Sequence, residues 1–169
     1  MPDENSRPKT VAVLADTHLP KGDRRLPDAC VTAIEAADEL IHVGDFLTPE
    51  VLSDLRGLCP VIHAVHGNVD RPALRRSLPE TLEIELGEAW VGLIHDAGPA
   101  RGRLPRLRRQ FPGCEAVIFG HSHQPLLEGD PEFQIFNPGS PTERRRAPRH
   151  SMGMLSVSGS TLSFSHLWL

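Results

Sequence analysis

No apolar run in this chain of 169 residues reaches the about 18 residues that a membrane-spanning helix needs, so no membrane span is expected. The opening stretch, MPDENSRPK, lacks the apolar core of a secretory leader. We expect residues 1–9 to form a loose, flexible tail and the protein to be cytoplasmic. Cysteine is scarce: Cys30, Cys59 and Cys114 are far apart and odd in number, which excludes a disulfide framework and a CxxC metal knuckle. Cys59 and Cys114 begin apolar runs and read as buried thiols. Positive charge is not in excess either. A net charge of −4 gives no chain-wide reason to expect nucleic acid as a partner. There is no internal repeat and no low-complexity linker.

What is present is 39% hydrophobic and 24% charged residues, enough for one domain with a sizeable core over residues 10–169. The arginines are uneven, with one cluster at Arg101, Arg103, Arg106, Arg108 and Arg109 and another at Arg144, Arg145, Arg146 and Arg149. The first reading of such clusters is a solvated face and the second an anionic ligand.

The apolar pattern alternates. TVAVLAD (10–16), ELIHVGD (39–45) and PVIHAVHGN (60–68) read as buried strands. PDACVTAIEAAD (27–38) places Ala29, Ala33, Ile34 and Ala37 on one helical face. TPEVLSDLRGL (48–58) offers Thr48 as N-cap and Pro49 as the first helical residue. This order argues for βαβ units. The second half is richer in strands. TLEIELG (81–87) and AWVGLIHD (89–96) read as a hairpin, RLPRLRRQF (103–111) as a short basic helix and CEAVIFGH (114–121) as a buried strand. Two further hairpins are expected around Asp130–Pro131 and Gly159–Ser160. The fold class is α/β, with two packed sheets and helices outside.

The residues that end the strands carry the chemistry. The first run ends in Asp16 and His18, the second in Gly44 and Asp45, the third in Gly67, Asn68 and Asp70. The later runs end in His95 and Asp96, and in Gly120, His121 and His123. Ligands of open α/β sheets bind beyond the carboxyl ends of the strands, so five strands bring these groups to one edge of one sheet. Singly, Asp16, Asn68 and Asp70 read as turn residues, His95 as a core histidine and Asp45 as a loop residue. His42, His63, His66, His150 and His166 are set aside, because no strand-end logic recruits them. Jointly, imidazoles with carboxylate and amide oxygens suit Mn, Fe, Ni or Zn. Seven ligands exceed the four of a closed zinc site. Seven with one shared carboxylate make two sites, and two ions about 3.5–4 Å apart clamp an in-line displacement at phosphorus and turn a bridging water into the nucleophile. His121 and His123, at i and i+2 on an extended backbone, would point to one side.

In this order, ADTH (15–18), GDF (44–46), GNVD (67–70), LIH (93–95), GHSH (120–123) and NPGSP (137–141) resemble the calcineurin-like metallophosphoesterases. The GNxD form is similar to their small bacterial and archaeal phosphodiesterase subgroup, itself similar to the metallophosphoesterase-fold subunit of retromer. The resemblance implies a four-layer αββα sandwich of two mixed β-sheets flanked by helices, with a dinuclear centre between the sheets at their edge. It implies one ion on Asp16, His18, Asp45 and His123 and another on Asp45, Asn68, His95 and His121, with Asp45 bridging. Asn68 also orients the phosphate, and Asp70 stands behind the ligands, fixing loop geometry or a histidine. Arg144, Arg145 and Arg146 are candidates to reach substrate. The chain departs from larger members in carrying Val69 where they place a histidine after the asparagine. It departs from its subgroup in reading His95-Asp96-Ala97 in place of His-Gly-His.

The expected activity is hydrolysis of a small phosphodiester by a metal-bridging hydroxide, with two divalent transition-metal ions, manganese first and iron, nickel or zinc as alternatives. A homo-oligomer is compatible with the sequence. The competing readings are a catalytically weak or inactive interaction scaffold, for which Trp90, Trp168 and Leu169 could supply a patch, and a phosphomonoesterase or nuclease. A net charge of −4 speaks against the nuclease.

Overall fold

The computed structural model describes residues 7–169. Residues 1–6 of the expected tail lie outside the described residues, and Lys9 already begins the first strand. The strands are β1 (Lys9–Leu14), β2 (Glu39–His42), β3 (Ile62–Ala64), β4 (Thr81–Leu86), β5 (Ala89–Ile94), β6 (Ala116–Ile118), β7 (Leu126–Asp130), β8 (Phe133–Asn137), β9 (Ser151–Ser158) and β10 (Thr161–Trp168). The helices are α1 (Asp28–Ala36), α2 (Pro49–Leu58), α3 (Pro72–Ser77) and α4 (Arg103–Gln110).

Two five-stranded mixed sheets result, in the orders β10-β9-β1-β2-β3 and β4-β5-β6-β8-β7. In the first, β1, β2 and β3 are parallel, and β9 and β10 run antiparallel at one side. In the second, β5, β6 and β8 are parallel, flanked by antiparallel β4 and β7. Each parallel step of the first sheet passes through a helix, since a parallel partner cannot be reached by a tight turn.

The two-residue alternation of β1 builds the layers. Val11 and Val13 face the second sheet and pack with Val91, Leu93, Ile118 and Phe136. Ala12 and Leu14 face outward, onto Cys30 and Ile34 of α1 and Leu52 and Leu55 of α2. On the far side, Val117, Phe119 and Ile135 pack under Leu107 and Phe111 at α4. The layers are therefore helix, sheet, sheet, helix. Truncating a buried Leu or Phe of the inner layer to Ala should cost about 2–5 kcal/mol.

Several expectations need correction. The expected strands overshoot at their ends: the residues after Leu14, His42, Ala64, Ile94 and Ile118 are not strand but loop. Ala29 is exposed, and Cys30 takes its place on the buried face of α1. α3 was not expected; it has only one buried residue, Leu74, so it shows too little apolar period to read. Cys30, Cys59 and Cys114 are all buried and free.

Candidate metal centre

The strand-end groups come from two sheets, not from one edge of one sheet. Loops after β1, β2 and β3 bring Asp16, His18, Asp45, Asn68 and Asp70; loops after β5 and β6 of the facing sheet bring His95, His121 and His123. Five of these residues sit in the left-handed backbone region: Asp16 (φ 56°), His18 (45°), Asp45 (62°), His121 (67°) and His123 (59°). The His121–His123 segment is therefore curled and not extended. That curl sends the two rings to different places. Non-glycine residues in this region cost on the order of 1–3 kcal/mol each and persist only where the surroundings hold them.

Here the hold is visible. The N–H groups of Asp16 and His18 donate to the carbonyls of Gly44 and Asp45, each at 3.0 Å, and Gly120 N–H donates to His95 O at 3.0 Å. Close packing adds to it. A Cβ on Gly67 would overlap the Asp45 carboxylate, and one on Gly120 would lie 2.9 Å from Ala15 Cβ and 3.0 Å from Asp16 Oδ2. Glycine is needed at both for space, whatever the φ angle.

The inner half of the centre is Asp16, His18 and His123, all buried. His123 Nε2 lies 3.5 Å from Asp16 Oδ1, and His18 Nε2 lies 3.9 Å from that atom and 3.6 Å from Asp45 Oδ2. His123 Nδ1–H donates to the Glu143 carbonyl. That fixes the neutral tautomer and turns the Nε2 lone pair toward the carboxylate. Both oxygens of Asp16, with His18 Nε2 and His123 Nε2, are buried and have no hydrogen-bond partner among the described residues. Buried polar atoms left this way cost about 1–3 kcal/mol each.

The outer half is Asp45, Asn68, His95 and His121. His95 Nδ1–H donates to Val43 O at 2.8 Å, so its Nε2 faces Asp45 Oδ2 at 3.2 Å and Asn68 Oδ1 at 3.1 Å. His121 Nδ1 meets the same Asn68 oxygen at 3.1 Å. Asn68 is exposed and His121 half-buried. The two carboxylates lie between the halves: Asp16 Oδ1 is also 3.9 Å from His95 Nε2.

The electrostatics follow. Burial alone would depress His95, but the Asp45 and Asp16 carboxylates and the Val43 carbonyl outweigh it and raise its pKa. Burial would raise Asp45, yet His95, the Val69 N–H and His18 bring it down. His123 is lowered, because burial outweighs the Asp16 and Glu143 oxygens. A convergence of lone pairs around buried carboxylates is what a divalent cation satisfies, and imidazole with carboxylate suits first-row transition metals. Two triads, Asp16/His18/His123 and Asp16/Asp45/His95, each place their ligand atoms within 4.8 Å of one another. The donor set fits divalent metal ions.

The supporting residues were less visible in the sequence. Among the described residues Asp70 makes no hydrogen bond or ion pair with a histidine. Its carboxylate accepts from the N–H groups of Asp45 (3.0 Å), Leu47 (2.9 Å) and Gly67 (2.7 Å), tying the loops after β2 and β3 together. His42, set aside earlier, is fully buried beneath the centre, with Nδ1 accepting from Gly44 N–H (3.1 Å) and Nε2 facing Thr17 Oγ1 (3.1 Å). Burial, with help from His95 and His18 and against Asp45, pushes its pKa down to about 3. Glu143 was missed. Its carboxylate is 3.7 Å from His18 Nδ1 and accepts from Arg24 at 3.2 Å. The NPGSP segment closes the same side: Ser140 Oγ donates to Asp16 O at 2.8 Å and Asn137 Nδ2 to Gly120 O at 3.1 Å.

The arginines divide. Arg106 donates to the carbonyls of Ala97 and Pro99, Arg103 lies over Phe119, and Arg108 pairs with Glu132 over Phe133. These stiffen α4 and the loop after His95. Arg144, Arg145 and Arg146 are exposed. Arg144 turns to Ala147 O, while Arg145 donates to His121 O at 3.4 Å and so stands at the rim of the outer half. Trp90 and Trp168 are both partly exposed but belong to different sheets, on β5 and β10, and Leu169 packs against the helix-facing core.

Comparison with known proteins agrees with this fold. Residues 10–160 match the calcineurin-like phosphoesterase superfamily domain. A probable metallophosphoesterase of Methanothermobacter thermautotrophicus is 33% identical over 154 residues, 90% of this chain and 88% of that protein. One from Methanocaldococcus jannaschii is 35% identical over 150 residues, 87% of this chain and 75% of that protein. The Vps29 of Entamoeba histolytica, solved with zinc, shares the fold with a TM-score of 0.73 at 22% identity, covering 94% of this chain and 98% of that one.

Proposed function

The chain belongs to the calcineurin-like phosphoesterase superfamily, a metal-dependent phosphoester hydrolase family, and from that premise we propose a phosphodiesterase with two divalent metal ions, manganese first. The observation that supports it best is the set of buried, unpartnered acceptor atoms on Asp16, His18 and His123. Asp16, His18, His123 and Asp45 would hold one ion, and Asp45, Asn68, His95 and His121 the other. Ions bound there supply Lewis acidity, which makes water a nucleophile at neutral pH and offsets charge on the phosphate oxygens.

The remaining work falls to the chain. Val43 O and Glu143 O lock the tautomers of His95 and His123, so both present Nε2 inward. Asp70 fixes the loop that carries Asp45. Asn68, exposed at the mouth, orients the phosphate. In the overall reaction water adds across one P–O bond: oxygen goes to phosphorus and a proton to the departing alcohol. Val69 has no proton to give and points to solvent, so that proton comes from solvent, and esters of acidic alcohols react fastest.

We place this enzyme in the cytoplasm, as one domain over residues 10–169, in keeping with its three free buried cysteines. Among the described residues no helix is long and apolar enough to cross a membrane. A second reading, an interaction scaffold, draws on an apolar groove of about 740 Å³ between α1 and α2, lined by Leu26, Val31, Val51, Leu55 and Leu58. Turnover separates the two. Protein loaded with Mn²⁺ should hydrolyse bis-p-nitrophenyl phosphate well above an Asp45→Asn control; equal rates would remove the enzyme reading.

A further inference from the structure

A cavity of about 210 Å³ adjoins the outer half of the centre and shares Asn68 and His95 with it. Its other walls are His66, Arg75, Glu80, Ile94, Asp96 and the backbone of Gly67. Arg75 comes from α3, and Glu80 follows Pro79, whose carbonyl accepts from His66 N–H at 3.0 Å. Asp96 replaces the glycine of the small subgroup's motif. Its loop is held by Arg106 on the carbonyls of Ala97 and Pro99.

The polar groups of this cavity are in large part unspent. Among the described residues, the side chains of Arg75 and Glu80 make no ion pair or hydrogen bond. Asp96 uses Oδ1 on Gly98 N–H at 2.8 Å and keeps Oδ2. His66 donates through Nδ1 to Gly67 O at 3.3 Å and keeps Nε2 as an acceptor.

We propose that this cavity is the subsite for one ester alcohol of the substrate and that it selects a small uncharged polyol. The proposal rests on the phosphodiesterase reading for its placement and goes beyond it in naming the alcohol. Size is the first argument: pockets for drug-sized ligands run to roughly 300–1,000 Å³, and this one is smaller. Charge is the second, because two carboxylates against one guanidinium repel a second anionic group. Ring surface is the third, since the only rings lining the cavity are the small imidazoles of His66 and His95, with no Phe, Tyr or Trp, so a nucleobase finds no broad face to stack on. Vicinal hydroxyls match what remains. Each can donate to Glu80 or Asp96 while accepting from Arg75, and such charge-assisted bonds are the strong ones.

The test is calorimetric titration of Mn²⁺-loaded full-length protein with glycerol 3-phosphate, ribose 5-phosphate, AMP and methyl phosphate. Glycerol 3-phosphate or ribose 5-phosphate should bind about tenfold tighter than methyl phosphate, the worth of one charge-assisted bond. The two polyols together tell an open-chain alcohol from a sugar. The paired substitution Arg75→Ala with Glu80→Ala, both at exposed positions, should erase the preference while the urea unfolding midpoint stays near wild type. Equal binding of all four ligands, tightest binding of AMP, or a preference that survives the paired substitution would overturn the proposal. A wild type that binds the polyol phosphate selectively yet does not hydrolyse bis-p-nitrophenyl phosphate would instead count against the phosphodiesterase reading alone.

Discussion

The two halves of the centre are built to different standards. Asp16, His18 and His123 are buried and closed in by Glu143 and the 137–143 segment, and their facing atoms have no hydrogen-bond partner among the described residues. Asn68 and His121 lie near the surface, and their polar atoms meet each other and His95. A group of buried acceptors without a cation is unfavourable in a low-dielectric interior. The outer group can satisfy itself with a proton on His95, whose pKa is raised. The difference teaches an order of binding: the inner half needs a cation for its own stability, the outer half tolerates doing without. On the proposed two-ion reading, the inner half would be the tight site and the outer half the weak one.

The largest blow to this contrast is Asp70→Ala. It removes one carboxylate and strands three N–H groups, of Asp45, Leu47 and Gly67, two of which belong to buried residues. We expect a loss of about 3 kcal/mol or more in urea unfolding. Because Asp45 serves both halves, both affinities should fall together. Asp70→Asn should recover part of the stability, and an unchanged unfolding midpoint in Asp70→Ala would contradict the role.

Glu143→Gln should sharpen the contrast. Its carboxylate faces His18 Nδ1, and groups that orient a metal ligand typically contribute about 10–100-fold in affinity. The tight site should weaken by about that factor while the weak site is spared. Glu143 is itself held below the usual carboxylate range: burial would raise it, but His18, Arg24 and Lys21 outweigh that. Equal losses at both sites would show that Glu143 only braces the fold.

The smallest effect is on pH. His42 lies under both halves, joining Thr17 to Gly44, and its pKa is pushed down to about 3 from 6.5. Between those values the unfolded chain binds a proton at this position and the folded chain does not. Stability from this residue is therefore complete above pH 6.5 and falls as pH drops toward 3. At pH 5 the loss is roughly 2 kcal/mol, at 1.36 kcal/mol per unit. Metal-free protein unfolded in urea across pH 5–7 should show this slope, and His42→Asn should flatten it. A slope that survives the substitution would assign the effect elsewhere.

The strand ends made the seven candidate ligands legible, because Asp, Asn and His after apolar runs stand out against the loops. The alternation of Val11 to Leu14 likewise made the sandwich legible. What was not legible has physical reasons. Left-handed geometry at Asp16, His18, Asp45, His121 and His123 has only a weak residue signature: Asp and His are enriched there after glycine, but most of them lie in other backbone regions. The extended reading of His121 and His123 failed on that point. The strand ends alone put the site on one sheet; its division between two sheets depends on long-range packing and was implied only by the family resemblance. Glu143 sits in an arginine-rich stretch whose charge hides its approach to His18. His42 was set aside because no strand-end logic recruits it; the sequence holds no sign that its ring reaches Gly44 and Thr17. The arginines of α4 read as one solvated face, but Arg103, Arg106 and Arg108 are tied to ring faces, carbonyls and Glu132.

We propose, as the central claim, two metal sites of unequal strength, separated by the curl between His121 and His123. Calorimetric titration of chelator-stripped protein with Mn²⁺, in wild type, His123→Ala and His121→Ala, tests it most directly. The account predicts two ions per wild-type chain in two classes, loss of the tighter class in His123→Ala and loss of the weaker class in His121→Ala. One class of site in wild type, or the same class lost in both variants, would contradict it.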